Sequence, residues 1–410
     1  MGKMRSHFSI RSIAAVSWGL ALTAVTTPAA VDLSAPGPHQ PGWTRVTVAR
    51  SGGGSFSAYL FYPALLPGEN TPFDASAAPC PGISFGHGFL QPVTRYRSTL
   101  EHLSTWGHIV IASESEGGLF PSHSRFASDM RDCLSWLTQQ NADPSSFLYR
   151  AVDTNAFGMS GHSMGGGCSI LATAADPRVK ALANLAAAET NPSAIAQMPN
   201  VLVPISLIAG SQDGIVPVST NGQRMYDAGG PPRLLPVITG GWHCGFEDVS
   251  SFGCDSGSLA RAEQLRITRR LLTAFFNLYL KRESALWREV WGPEAAGDPE
   301  VVTQFDPGIR LTPTFQTKSA PAGRTVSYDV LLENRGRAEL TFLVEAADQA
   351  WPNPLILQPR KTLAVGESAL LRVFVTVPST GPSADTIVLS VRSATEGLSR
   401  GYAILTTVRD

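Results

Sequence analysis

Between Gly82 and Tyr279, short apolar runs alternate with longer stretches of helical periodicity. Ile83–Phe85, His108–Ala112, Phe157–Ser160, Val179–Leu185, Pro204–Ala209 and Leu234–Ile238 are short and mostly apolar, as strands buried on both faces are. Helices are predicted near Arg95–Trp106, Ser124–Gln140, Met164–Ala175 and Leu259–Tyr279, the last with Leu265, Leu272, Phe275 and Phe276 on apolar spacing. Such alternation implies an α/β unit, a mostly parallel sheet with helices on both faces. Ahead of it, Arg45–Arg50 and Phe56–Tyr62 flank Ser51-Gly52-Gly53-Gly54 and predict a hairpin at the sheet's edge. After Leu286 the helical runs stop. Ile309–Phe315, Thr325–Leu332, Leu340–Ala346, Ala369–Val377, Thr386–Val391 and Tyr402–Val408 read as short strands separated by Pro, Gly and Asn, which predicts an immunoglobulin-like β-sandwich.

The first thirty residues add a leader. Lys3, Arg5 and Arg11 precede the apolar run Ile13–Val25, and Thr27-Pro28-Ala29 offers small residues for cleavage. The expected division is a signal peptide at 1–30, a linker at 31–42, the α/β unit at 43–284, a linker at 285–307 and the β unit at 308–410. A secreted or periplasmic protein is expected, without a membrane span in the mature chain. The formal net charge is −1, and loss of the leader's three cations makes it more negative, which argues against nucleic acid as a partner. Five cysteines suit an oxidising compartment but cannot all pair. Cys244 and Cys254 lie in one loop and are the best candidate bridge. Cys80 and Cys133 could pair, and Cys168 is expected to remain a buried thiol.

Gly161-His162-Ser163-Met164-Gly165 matches G-x-S-x-G between a predicted strand and a predicted helix. A serine on so sharp a turn leaves no room for side chains two positions before and after it, so Ser163 is the candidate nucleophile. Its base should follow it in the chain, with the acid between, in the order of the α/β-hydrolase fold. The single histidine after Ser163 is His243, in Gly240-Gly241-Trp242-His243-Cys244. Asp213, in the loop after the strand that ends at Gly210, is the favoured acid, with Glu189, Glu247 and Asp248 as competitors. The oxyanion donors are expected to be the N–H groups of Met164 and of Phe89, in Gly86-His87-Gly88-Phe89. Phe89, His162, Glu189 and Trp242 are expected to line the substrate cleft. His87 precedes the nucleophile and is read as part of the oxyanion loop. Neither a metal-ligand set nor a G-x-G-x-x-G after the first strand is present, so no cofactor or metal is expected.

At Val152-Asp153-Thr154, Phe157-Gly158-Met159 and Gly161-His162-Ser163-Met164-Gly165-Gly166-Gly167 the chain resembles the polyesterase–lipase–cutinase family, within the dienelactone-hydrolase and platelet-activating-factor-acetylhydrolase-like group. The resemblance spans roughly Phe56–Tyr279. It implies an ester hydrolase with a Ser163–Asp213–His243 triad and oxyanion donors Phe89 and Met164. Bacterial cutinases of that family carry a tryptophan where this chain has Ala187-Ala188-Glu189-Thr190. The expected substrates are therefore short aliphatic esters. Alternatives are phospholipid acyl groups, polyester or cutin, and chlorophyll esters; outside catalysis, the alternative is a surface-binding protein with an inactive hydrolase unit.

Overall fold

A computed structural model describes residues 31–410 except 396. The expected signal peptide at 1–30 lies outside the described residues. The larger sheet has ten strands: β1 (Gln40–Ala49), β2 (Ser55–Ala64), β3 (Gly68–Glu69), β4 (Cys80–Gly86), β5 (Ile109–Ser113), β6 (Val152–His162), β7 (Val179–Leu185), β8 (Ile205–Gly210), β9 (Arg233–Ile238) and β10 (Val301–Asp306). Their spatial order is β10-β9-β8-β7-β6-β4-β5-β2-β1-β3. The six strands from β9 to β5 run parallel. The predicted hairpin β1–β2 joins antiparallel at the β5 side.

Among the described residues, eight α-helices accompany the strands: α1 (Arg97–Thr105), α2 (His123–Ala142), α3 (Met164–Ala174), α4 (Ala194–Gln197), α5 (Gly222–Ala228), α6 (Arg261–Tyr279), α7 (Trp287–Val290) and α8 (Pro293–Ala296). They bury two separate cores. Phe126, Met130, Leu134 and Leu137 follow one face of α2 at helical spacing and meet Ile170 of α3 and Met225 of α5. Ser122 caps α2 by accepting the Arg125 N–H. On the other side of the sheet, Leu100 and Leu103 of α1 pack with Leu272, Phe275 and Phe276 of α6. Strands covered on both sides explain the continuous apolar runs in the sequence.

Segment 285–307, expected as a linker, carries α7, α8 and β10. β10 pairs antiparallel with β9, from Val301 opposite Ile238 to Asp306 opposite Arg233, and so covers that edge of the sheet. Trp287, Val290 and Trp291 complete the α6 core. Their spacing is helical, but α7 spans only four residues, too short a window for a periodic pattern to stand out.

The C-terminal residues form two smaller sheets from β11 (Ile309–Thr312), β12 (Phe315–Ala320), β13 (Thr325–Asn334), β14 (Leu340–Ala347), β15 (Leu355–Leu357), β16 (Arg360–Leu363), β17 (Ser368–Thr376), β18 (Ala384–Ser393) and β19 (Arg400–Arg409). The orders are β11-β13-β17-β15 and β12-β19-β18-β14-β16, antiparallel except for β12 with β19. Tyr328, Val330 and Leu371 from one sheet share a core with Phe342, Leu389 and Leu405 from the other. The single strand expected over Ile309–Phe315 is two strands. Pro313 lacks an N–H for the ladder, and the chain changes sheets there. β15 and β16 are too short to leave a pattern. Residues 33–410 form one compact unit. The β unit meets α6, where Val388 and Leu398 join the same core and the Tyr279 and Ser399 hydroxyls are hydrogen-bonded at 2.9 Å. Among the described residues, no helix is long and apolar enough to cross a membrane.

Candidate active site

The site lies beyond the carboxyl ends of the parallel strands, and backbone sterics build its first side. β6 ends at His162, α3 begins at Met164, and Ser163 between them has φ 55° and ψ −120°. An L-residue adopts that conformation only when its surroundings enforce it. The enforcement is local: the Ser163 N–H donates to the Leu185 carbonyl at 3.0 Å, and the Ser163 carbonyl accepts from Ala188 at 2.9 Å and Gly167 at 3.1 Å. A Cβ on Gly165 would lie 2.1 Å from the Gly86 carbonyl oxygen, and one on Gly161 would lie 2.4 Å from that of Gly165. These contacts explain the glycines of the motif. Met164 opens α3, and amides in a helix's first turn have no partner within the helix.

The loop after β4 packs against this turn. Tyr96 accepts the Gly88 N–H at 3.0 Å and is hydrogen-bonded to His162 Nδ1 at 2.9 Å, so one buried hydroxyl joins the Phe89 loop to the nucleophile motif. His87 is buried with its ring nitrogens facing the Gly88 and Ser115 carbonyls at 2.8 and 2.9 Å. It braces the loop, as expected, and is not in the cleft.

The second side is assembled from distant segments. His243 Nδ1 is 2.8 Å from Asp213 Oδ2, and Asp213 Oδ1 accepts the Ile215 and Val216 N–H groups at 3.0 and 2.6 Å. The competing acids are engaged elsewhere. Asp248 accepts from the Ser98 N–H and hydroxyl, and Glu189 Oε2 accepts the Ile195 N–H at 3.0 Å. Glu247 lies beside Arg95 (3.8 Å) and His162 (3.9 Å). Burial raises the Glu247 carboxyl to about 7, with Arg95 opposing the rise. Burial, reinforced by the neighbouring His243, holds the His162 imidazole well below its ordinary range. The His162 and His243 rings lie 4.5 Å apart, centre to centre.

Ser163, His162 and His243 line one cleft of about 440 Å³ with Gly88, Phe89, Leu90, Gln91, Arg95, Ile215, Glu247, Ser251 and Phe252. Phe89, Leu90, Ile215 and Phe252 are exposed there and give it an apolar mouth. Two expected lining residues are corrected. Trp242 is buried, donates its indole N–H to the Leu259 carbonyl at 3.1 Å and lies under the Arg261 guanidinium. Glu189 is held at the start of α4 by the Ile195 bond, away from the cleft.

Cys244 and Cys254 form the expected disulfide. Cys80, Cys133 and Cys168 are buried thiols, and burial pushes Cys80 and Cys168 up to about 12. Several supporting residues were not anticipated. Gln264 brackets the Trp242 peptide, accepting its N–H at 3.0 Å and donating to its carbonyl at 2.7 Å. Arg261 donates to the Cys244 and Glu247 carbonyls. Asp255 accepts backbone amides of the acid and base loops. Only Asp255 had a sequence signal, its place beside a bridging cysteine. Gln264 and Arg261 look like ordinary surface positions of a helix.

The profile of the PET hydrolase-like family, PETase, matches residues 26–231. That range holds the serine turn and Asp213 and stops short of His243. A cutinase, Cutinase est1 of Thermobifida alba, is 27% identical over 180 residues, covering 44% of this chain and 55% of the cutinase. The chain therefore spans about half the length of the curated relative it matches.

Proposed function

Since the chain belongs to the PET hydrolase-like family of serine hydrolases, we propose that it hydrolyses carboxylic esters of the polyester or cutin type through Ser163, His243 and Asp213. The observation that carries this reading is the cleft. The strained serine and the carboxylate-bonded histidine line its interior, and four exposed apolar side chains frame its mouth. Such a mouth suits chain segments at an apolar surface better than small polar esters. The expectation of short aliphatic esters rested partly on Glu189 and on a missing ring. Glu189 stands elsewhere, and Phe252 adds a second exposed ring to the lining that holds Phe89.

In this mechanism the Ser163 hydroxyl attacks the ester carbonyl carbon and its proton passes to His243 Nε2. Asp213 holds the imidazole in the tautomer that can accept that proton and stabilises the imidazolium. The Phe89 and Met164 N–H groups take the charge that develops on the carbonyl oxygen. The imidazolium then protonates the leaving alcohol, leaving an acyl-Ser163. A water molecule, deprotonated by His243, attacks the acyl group. The acid leaves and Ser163 regains its proton.

Export is part of the proposal, supported by the charged-then-apolar leader and the Cys244–Cys254 bridge. So is an immunoglobulin-like β unit beyond 308, supported by two sheets around one core. A fluorophosphonate probe should label Ser163 and leave Ser163→Ala unlabelled. Polyester films should then release soluble products under the active enzyme. Labelling without release from any film would return the substrate to small esters, and no labelling would remove the hydrolase reading.

A further inference from the structure

Asp213 and His243 sit on loops that follow two different strands, β8 and β9, yet their hydrogen bond is 2.8 Å long. One carboxylate spans both loops. Asp255 Oδ2 accepts the N–H of Gly214, the residue after the acid, and the N–H of His243 itself, each at 3.0 Å. Asp255 Oδ1 accepts the N–H of Cys244 at 3.1 Å. Its chain neighbour Cys254 is bonded covalently to Cys244. The side chain is thus pinned at the point where the two loops meet.

We infer that Asp255 is a positioning residue that sets the distance and orientation between Asp213 and His243. The inference rests on the proposed hydrolase reading. The chemistry favours a carboxylate at this place. Three N–H donors converge on it, and an ionised carboxyl group accepts through both oxygens without presenting a hydrogen of its own. An amide in the same place keeps one acceptor oxygen and turns an NH₂ group towards N–H donors. Loss of the brace would let the acid loop drift from the imidazole. Proton transfer from Ser163 would then suffer more than substrate binding, because nothing in the lining of the cleft is removed.

The test is a kinetic series on the full chain with p-nitrophenyl butyrate: Asp255→Asn, Asp255→Ala, Asp213→Asn and Asp213→Asn/Asp255→Asn. Both Asp255 variants should stay folded, because Gln264, Arg261 and the disulfide still hold the base loop. Their kcat should fall by roughly 10–100-fold with KM changed less than about threefold, the pattern of a lost transition-state interaction. In the Asp213→Asn background, Asp255→Asn should cost little more, since the bond it sets is already compromised. Unchanged kcat in folded Asp255 variants would overturn the inference, as would full additivity in the double variant. If Asp255→Ala fails to fold, Asp255→Asn and the double variant still decide the matter. Fluorophosphonate labelling of Ser163 separates the outcomes: labelling with normal Asp255 variants discards the brace alone, and absence of labelling discards the hydrolase reading.

Discussion

Ser163 and His243 line the same cleft, but its two sides are held by different physics. On the serine side, residues contiguous in sequence make a strand, a strained turn and a helix, and main chain packs on main chain at Gly86, Gly161 and Gly165. On the histidine side, the loop after β9 is tied down by Asp213 from the loop after β8, by Arg261 and Gln264 of α6, and by its own Asp255 and disulfide. Backbone contacts have no protonation or redox state. Carboxylates have the first and disulfides the second. The serine side should therefore be all-or-none, while the histidine side should lose function by degrees and respond to conditions.

The largest effect expected is chemical. Ser163→Ala should reduce turnover by on the order of 10⁴-fold or more with the fold intact, and His243→Ala comparably. Appreciable turnover by purified Ser163→Ala would dissolve the contrast, because the strained turn would then hold no nucleophile. Next is Gly165→Ala. The added methyl would meet backbone carbonyl atoms that no rotamer change can move. Destabilisation of about 3 kcal/mol or more is expected, read as insolubility or a steep drop in Tm. A variant as stable as the parent would show that the serine side has slack.

On the histidine side, reduction of Cys244–Cys254 should lower esterase activity while circular dichroism still reports a native fold. The chain-entropy cost for a loop of about ten residues is roughly 2–3 kcal/mol. Activity that survives reduction until unfolding would leave the loop held by its hydrogen bonds alone. Glu247 gives the pH test. Its carboxyl is raised by burial to about 7. Between the ordinary carboxyl range and pH 7, the folded chain therefore holds a proton that the unfolded chain releases, and stability falls as pH rises through that window. Glu247→Gln should abolish the fall and exceed the parent above pH 7 by on the order of 1–3 kcal/mol. Parallel Tm-against-pH curves for the two proteins would contradict it. The smallest effect belongs to the cleft's mouth. Phe252→Ala should lower release from a polyester film a few-fold while leaving p-nitrophenyl butyrate turnover within about twofold, since one aromatic contact contributes roughly 0.5–1.5 kcal/mol. Equal losses on film and soluble ester would place Phe252 in loop integrity instead.

The same contrast divides what could be read in advance. Alternating runs revealed the parallel sheet and its main helices, because burial on both faces writes itself as local periodicity. The serine turn was legible because its serine and glycines fall within five consecutive residues, and the order of the chain then singled out His243 as the candidate base. Asp213 could be ranked above Glu189, Glu247 and Asp248 only by its place after a strand. The 2.8 Å bond to His243 required both loops to be folded.

Some expectations failed for the same reason. Trp242 looked like a cleft wall from its place beside His243, but Leu259 and Arg261, from the start of α6, hold its ring in the interior. Glu189 was put at the mouth by its strand, and the start of α4 claims its carboxylate. Segment 285–307 lacked a pattern, yet β9 needed an edge partner and α6 needed apolar cover. The sequence by itself laid out the main elements and offered Ser163 and His243 as candidates, the elements and the serine from patterns within a few residues and the histidine from the order of the chain. Which residues brace that base, and which side chains face the substrate, was decided only when segments tens of residues apart met. Local periodicity carries no information about such meetings.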